Sequence, residues 1–104
     1  MVEVKWTLQS LEDMENIAAY ISKDSSKYAS LQINRFFEAA VILETFPKTG
    51  RIVPETRNKN IRELIVGVYR IIYLIKTTKR IDVLLVFHSR RLLKSTVLRN
   101  RIRK

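Results

Sequence analysis

Residues 61–88 read IRELIVGVYRIIYLIKTTKRIDVLLVFH, three apolar runs parted by turn residues. Residues 61–66, 68–77 and 81–88 are rich in Ile, Val, Leu and Tyr, the types that suit a pleated, half-buried surface. Gly67 separates the first run from the second, and residues 77–80 separate the second from the third. Strands joined this closely pair as an antiparallel meander. The third run is apolar on both parities, with Val83, Leu85 and Phe87 on one and Leu84 and Val86 on the other. It is therefore expected at the centre of a sheet, needing cover on both faces.

Upstream of the meander lies the material for one cover. Val2-Glu3-Val4-Lys5-Trp6 alternates apolar and polar residues, as a half-buried strand does. Ser10 and Asp13 resemble a capping pair, and Leu11, Met14, Ile17, Ala18 and Ile21 then recur at helical spacing, predicting an amphipathic helix over residues 10–22. After a polar break at residues 23–26, Ile33, Phe36, Phe37, Ala40 and Val41 continue that spacing to a second helix ending near Phe46, ahead of Pro47. A connection this short implies an antiparallel hairpin. Downstream, residues 92–104 place Leu92, Leu93, Val97, Leu98 and Ile102 along a helical stripe, so this basic tail is a candidate cover for the second face. The reading is an α+β fold: an N-terminal strand, a two-helix antiparallel hairpin on a mainly antiparallel sheet of about four strands, and a basic C-terminal tail or helix.

With 104 residues, 46% of them hydrophobic, the chain builds one core and reads as a single domain over residues 1–104. Its apolar runs fall far short of the roughly 18 residues that span a bilayer, and a cytoplasmic location without membrane contact is expected. Without cysteine there is neither a disulfide nor a thiolate nucleophile, and one histidine leaves little from which to build a zinc site. No cofactor is expected.

Charge is divided sharply. Residues 1–47 hold four Lys/Arg against seven Asp/Glu, net −3, whereas residues 48–104 hold sixteen against three, net +13. Clustered cations steer and hold polyanions, whether nucleic acid or an acidic protein.

The order of strand, helical hairpin, Pro47, Gly50-Arg51, Arg62-Glu63, Tyr69-Arg70-Ile71-Ile72-Tyr73 and His88-Ser89-Arg90 resembles the RelE/ParE toxin superfamily over residues 2–91. The resemblance implies a small toxin neutralised by a cognate antitoxin that wraps around it. One branch of the superfamily cleaves messenger RNA on the ribosome; the other poisons DNA gyrase. The long hairpin and the His-x-Arg ending look closer to the second, ParE-like branch.

Metal-free RNA cleavage needs a base for the 2′-hydroxyl, an acid for the leaving oxygen and cations around the phosphate. His88, Glu63, Arg70 and Arg90 are the candidates for that chemistry, with Arg51 as a further cation. For each a plainer role stands beside it: His88 as a hydrogen-bonded residue at a sheet edge, Glu63 as a cross-strand partner for arginines. Tyr69 and Tyr73 either stack on bases or pack in the core. As a binding surface the candidates are Arg51, Arg62, Arg70, Arg90, Arg91, Lys94, Arg99 and Arg101, with Arg103 and Lys104 continuing the run. The partners expected are an acidic antitoxin and DNA gyrase, or alternatively the ribosome with messenger RNA. A nucleic-acid-binding domain without toxicity is the remaining reading.

Overall fold

The computed structural model describes residues 1–102, so Arg103 and Lys104 of the basic run lie outside it. Strand β1 (Glu3–Trp6) leads into helices α1 (Leu8–Ser22) and α2 (Ser26–Val41) and a 3₁₀ turn at Ile42–Glu44. Strands β2 (Arg51–Ile52), β3 (Ile61–Val66), β4 (Tyr69–Thr77) and β5 (Arg80–His88) follow, and then α3 (Ser95–Ile102). The sheet has five strands in the order β1-β5-β4-β3-β2. Its meander is antiparallel, as the three apolar runs require, while β1 joins β5 in parallel and makes that strand internal over Arg80 to Val83. The strand absent from the sequence reading is β2, whose two residues are too few to show alternation.

Local chemistry sets the boundaries. Thr7, not Ser10, caps α1: its hydroxyl oxygen accepts the Ser10 N–H at 3.2 Å, and the Ser10 hydroxyl donates back to the Thr7 carbonyl at 2.7 Å. Ser25 caps α2 by accepting the Tyr28 N–H. Between β3 and β4, Val66 and Tyr69 pair across a two-residue turn in which Gly67 alone has positive φ, at 61°. That pattern fits a type II′ turn, whose first central position favours glycine.

Two apolar layers enclose the sheet. On the hairpin side Met14 and Phe36 pack with Ile71, Val83 and Val86, and Leu43 packs with Tyr73 and Ile81. The opposite face carries Ile61, Ile72, Leu84, Leu85 and Phe87, beneath Val53 of the loop 53–60 and Leu93 and Leu98 of the C-terminal segment. The tail thus supplies the second cover, although only Leu93 and Leu98 of its expected stripe are buried; Leu92 is 79% exposed.

The strict alternation expected in β5 fails at Leu84. Tyr73 pairs with Val83 but Ile72 pairs with Leu85, so Leu84 is an extra residue, a β-bulge. The bulge turns Leu84 and Leu85 to the same face and puts Val83 and Val86 together under the hairpin. An all-apolar strand hides such an insertion, because either parity is compatible with burial.

Candidate functional site

Arg70 is the centre of the polar network in the basic half. It stands on β4 with the parity of Ile72, on the face away from the hairpin, and pairs across the ladder with Phe87. Only 7% of it is exposed, and its guanidinium lies 5.0 Å from the centroid of the Phe87 ring. Nε donates to Glu63 at 2.5 Å, and the two terminal nitrogens donate to both oxygens of Glu55 at 2.9 and 2.8 Å. Glu63, itself 1% exposed, also accepts from Arg51 across the β2–β3 pair. Two arginines and two carboxylates therefore form one compensated chain, the arrangement that buried charge requires. The Arg70 hydrogen bonds hold the Glu55 carboxyl below the usual carboxylate range, and the same bonds push the Arg70 guanidinium up. Glu55 carries no periodic or motif signal in the sequence. It reaches Arg70 because the loop 53–60 folds back over the sheet.

Arg62 serves the backbone. Its nitrogens donate to the carbonyls of Lys59, Lys48 and Gly50 at 3.1, 3.2 and 3.0 Å, tying the loop before β2 to β3. Beneath it, the fully buried Tyr73 hydroxyl donates to the Pro47 carbonyl at 2.8 Å and accepts the Gly50 N–H at 3.0 Å. Burial pushes that phenol up. A Cβ on Gly50 would sit 2.5 Å from the Glu63 carbonyl oxygen and 2.6 Å from the Tyr73 hydroxyl, so glycine is required there for space.

His88 is elsewhere. It pairs with Tyr69, and the two rings meet edge-on at 5.5 Å on the hairpin side, where Tyr69 also meets Phe36 at 5.3 Å. Its Nδ1 accepts the Arg90 N–H at 3.1 Å, which leaves the proton of the neutral ring on Nε2. His88 and Arg70 thus point from opposite faces of the sheet. The four candidates for RNA cleavage are not gathered around one point: Arg70 and Glu63 meet, His88 is separated from them by the sheet, and the Arg90 side chain is exposed beyond the end of β5.

Arg101 is also engaged. Its guanidinium forms a bidentate pair with Asp13 of α1 at 2.8 and 2.9 Å and donates to the Leu84 carbonyl at 2.9 Å. The hydrogen bonds it donates to Asp13 push it up. Arg90, Arg91, Lys94 and Arg99 are exposed and pair with no carboxylate among the described residues. The expected binding set therefore divides into internal ties (Arg51, Arg62, Arg70, Arg101) and outward cations (Arg90, Arg91, Lys94, Arg99).

A cleft of about 550 Å³ lies between β1 and the start of α1, with Trp6, Leu8, Glu12, Arg80 and Asp82 in its lining. It includes none of the candidates for chemistry. No helix among the described residues is long and apolar enough to cross a membrane.

A family model described as ParE toxin of type II toxin-antitoxin system, parDE, matches residues 4–93. The chain is 30% identical over 86 residues to "Putative toxin Y4kP" of Sinorhizobium fredii, covering 83% of this chain and 86% of that one. A structure titled "Chromosomal ParDE TA system from P. aeruginosa" shares the fold with a TM-score of 0.69 at 20% identity, covering 85% of this chain and 96% of that one.

Proposed function

Because the chain belongs to the ParE toxin family of type II toxin–antitoxin systems, we propose that it arrests growth by binding and inhibiting DNA gyrase, and that a cognate acidic antitoxin neutralises it. The observation that carries a binding rather than a catalytic mode is the separation of His88 from Arg70 across the sheet. Cleavage of RNA without a metal needs acid, base and phosphate-holding cation around a single phosphate. Here both oxygens of Glu63 are taken by Arg51 and Arg70, and both of Glu55 by Arg70, so neither carboxylate is poised as a base.

The antitoxin reading draws on two features. The half of the chain from residue 48 onward is strongly cationic, which suits an acidic segment, and the hairpin exposes Leu8, Tyr20, Tyr28 and Val41, which suit apolar anchors. Co-purification with the product of an adjacent small open reading frame tests it.

The test of the target is a supercoiling assay with gyrase and purified full-length chain. Loss of supercoiling at micromolar toxin, restored by the antitoxin, is the expected result. Unimpaired supercoiling at that concentration, with messenger RNA cut on translating ribosomes, would replace this reading by the ribosome-dependent one.

A further inference from the structure

We propose that the layer formed by the loop 53–60 and the C-terminal segment is a binding face for the phosphate backbone of duplex DNA, carried by Arg57, Lys59, Arg90, Arg91, Lys94 and Arg99. Three observations lead there.

The first is charge that nothing internal uses. All three carboxylates from residue 48 onward are engaged: Glu55 by Arg70, Glu63 by Arg51 and Arg70, and Asp82 by Arg80 at 2.9 Å and Lys76 at 3.8 Å. Arg101 takes its partner from α1. The six named cations are exposed and pair with no carboxylate among the described residues.

The second is placement. Val53, Leu93 and Leu98 pack in one cluster on the face away from the hairpin, so the loop bearing Arg57 and Lys59 and the segment bearing the other four cations cover the same side of the sheet.

The third distinguishes a duplex from a single strand. Single-strand recognition depends on exposed aromatic rings that stack on bases. The exposed aromatic residues, Tyr20, Tyr28, Phe37 and Phe46, all belong to the hairpin and the segment just after it, whereas Tyr73 and Phe87 are packed inside and Tyr69 faces the hairpin. A cationic layer without base-stacking rings suits backbone contact, and the apolar hairpin suits a protein. The choice of DNA over an RNA duplex rests on the gyrase reading, since the substrate of gyrase is duplex DNA.

The experiment is fluorescence anisotropy of the full chain with a labelled 20-base-pair DNA duplex over a salt series, in the absence of gyrase. Micromolar binding is expected, with log K falling linearly against log salt and a slope of about −0.9 per phosphate contact. Replacing Arg90, Arg91, Lys94 and Arg99 together with alanine should weaken binding at least about tenfold and make the slope shallower by about 3.6. Each single substitution should remove about 0.9 of slope. Arg90→Lys/Arg91→Lys/Arg99→Lys should retain the slope, and Lys23→Ala/Lys27→Ala on the hairpin should change nothing. Wild-type binding by the folded quadruple alanine variant, or by all four singles, would overturn the proposal. So would tighter binding of a single strand, an RNA duplex or polyglutamate than of duplex DNA. Because gyrase is absent, failure here leaves the supercoiling assay to judge the gyrase reading separately.

Discussion

Asp13 and Arg101 stand 88 positions apart in the chain and meet at the edge of β5, where each takes a backbone group of that strand. The register of β1 against β5 ends at Val83, and the edge beyond it has no strand partner. There the Val86 N–H donates to Asp13 at 3.0 Å, the Leu84 carbonyl accepts from Arg101 at 2.9 Å, and the two side chains pair with each other. An open strand edge invites intermolecular pairing. One helix from each layer closes this one, fixing α3 to the hairpin around the end of the sheet.

Arg101→Ala should lower stability by about 1–2 kcal/mol, more than the 0–1 kcal/mol of an ordinary surface ion pair, because the Leu84 carbonyl loses its donor as well. Asp13→Asn keeps an acceptor for the Val86 N–H and should cost less than Asp13→Ala. Urea unfolding of the three variants checks the order. An equal, near-zero effect in all three would mean that water replaces the pair without loss.

The Glu55–Arg70–Glu63 chain predicts a specific acid limb. The Glu55 carboxyl is depressed, so its contribution is fully present above its unfolded pKa, about 4.3, and is lost as pH falls through the lower folded value. Glu55→Gln should flatten the stability profile below about pH 4.5 and leave its alkaline side unchanged. Arg70→Ala should cost about 3–5 kcal/mol, since it leaves Glu63 buried with Arg51 alone, whereas an Arg70→Met/Glu63→Leu pair should recover much of that loss. Thermal melts from pH 3 to 8 separate these outcomes.

Gly50 and Tyr73 should respond in different ways to small changes. Tyr73→Phe removes the donor to Pro47 and the acceptor for the Gly50 N–H, a loss of about 1–3 kcal/mol for buried groups left unpaired. Gly50→Ala forces a methyl against backbone at 2.5 Å and should cost more than Tyr73→Phe. Gly67→Ala meets no neighbour within 4 Å and should lose only about 1–2 kcal/mol from its positive φ. Equal melting temperatures for Gly50→Ala and Gly67→Ala would contradict this ranking.

What was legible in the sequence was local and periodic. The meander follows from three β-branched runs and Gly67, and the hairpin from apolar residues at helical spacing. What escaped depends on distant residues or on too few of them. β2 is two residues long, and the bulge at Leu84 lies in a strand where every residue is apolar between Val83 and Phe87. Glu55 meets Arg70 only through the fold of a loop, and Asp13 meets Arg101 only after both layers have packed. For the site, parity gives the face of each residue within its own strand, but only the pairing of Tyr69 with His88 and of Arg70 with Phe87 puts Arg70 and His88 on different faces. The motif's arginines looked alike in sequence, yet Arg51, Arg62 and Arg70 bind the protein's own carboxylates and carbonyls while Arg90 and Arg91 face outward.

His88→Ala is the variant that most directly separates binding from catalysis. The ring packs edge-on against Tyr69 and accepts one backbone N–H, so its loss should lower stability by about 1 kcal/mol. A general acid or base contributes about 10²–10⁴-fold to a reaction rate, so a catalytic His88 would take most of the toxicity with it. A packing residue on the opposite face of the sheet from Arg70 would not. Growth arrest under titrated expression and inhibition of supercoiling should therefore stay within about threefold of wild type, well short of that catalytic loss. A drop of a hundredfold in a variant that still melts cooperatively would place His88 in a reaction and sink the binding reading.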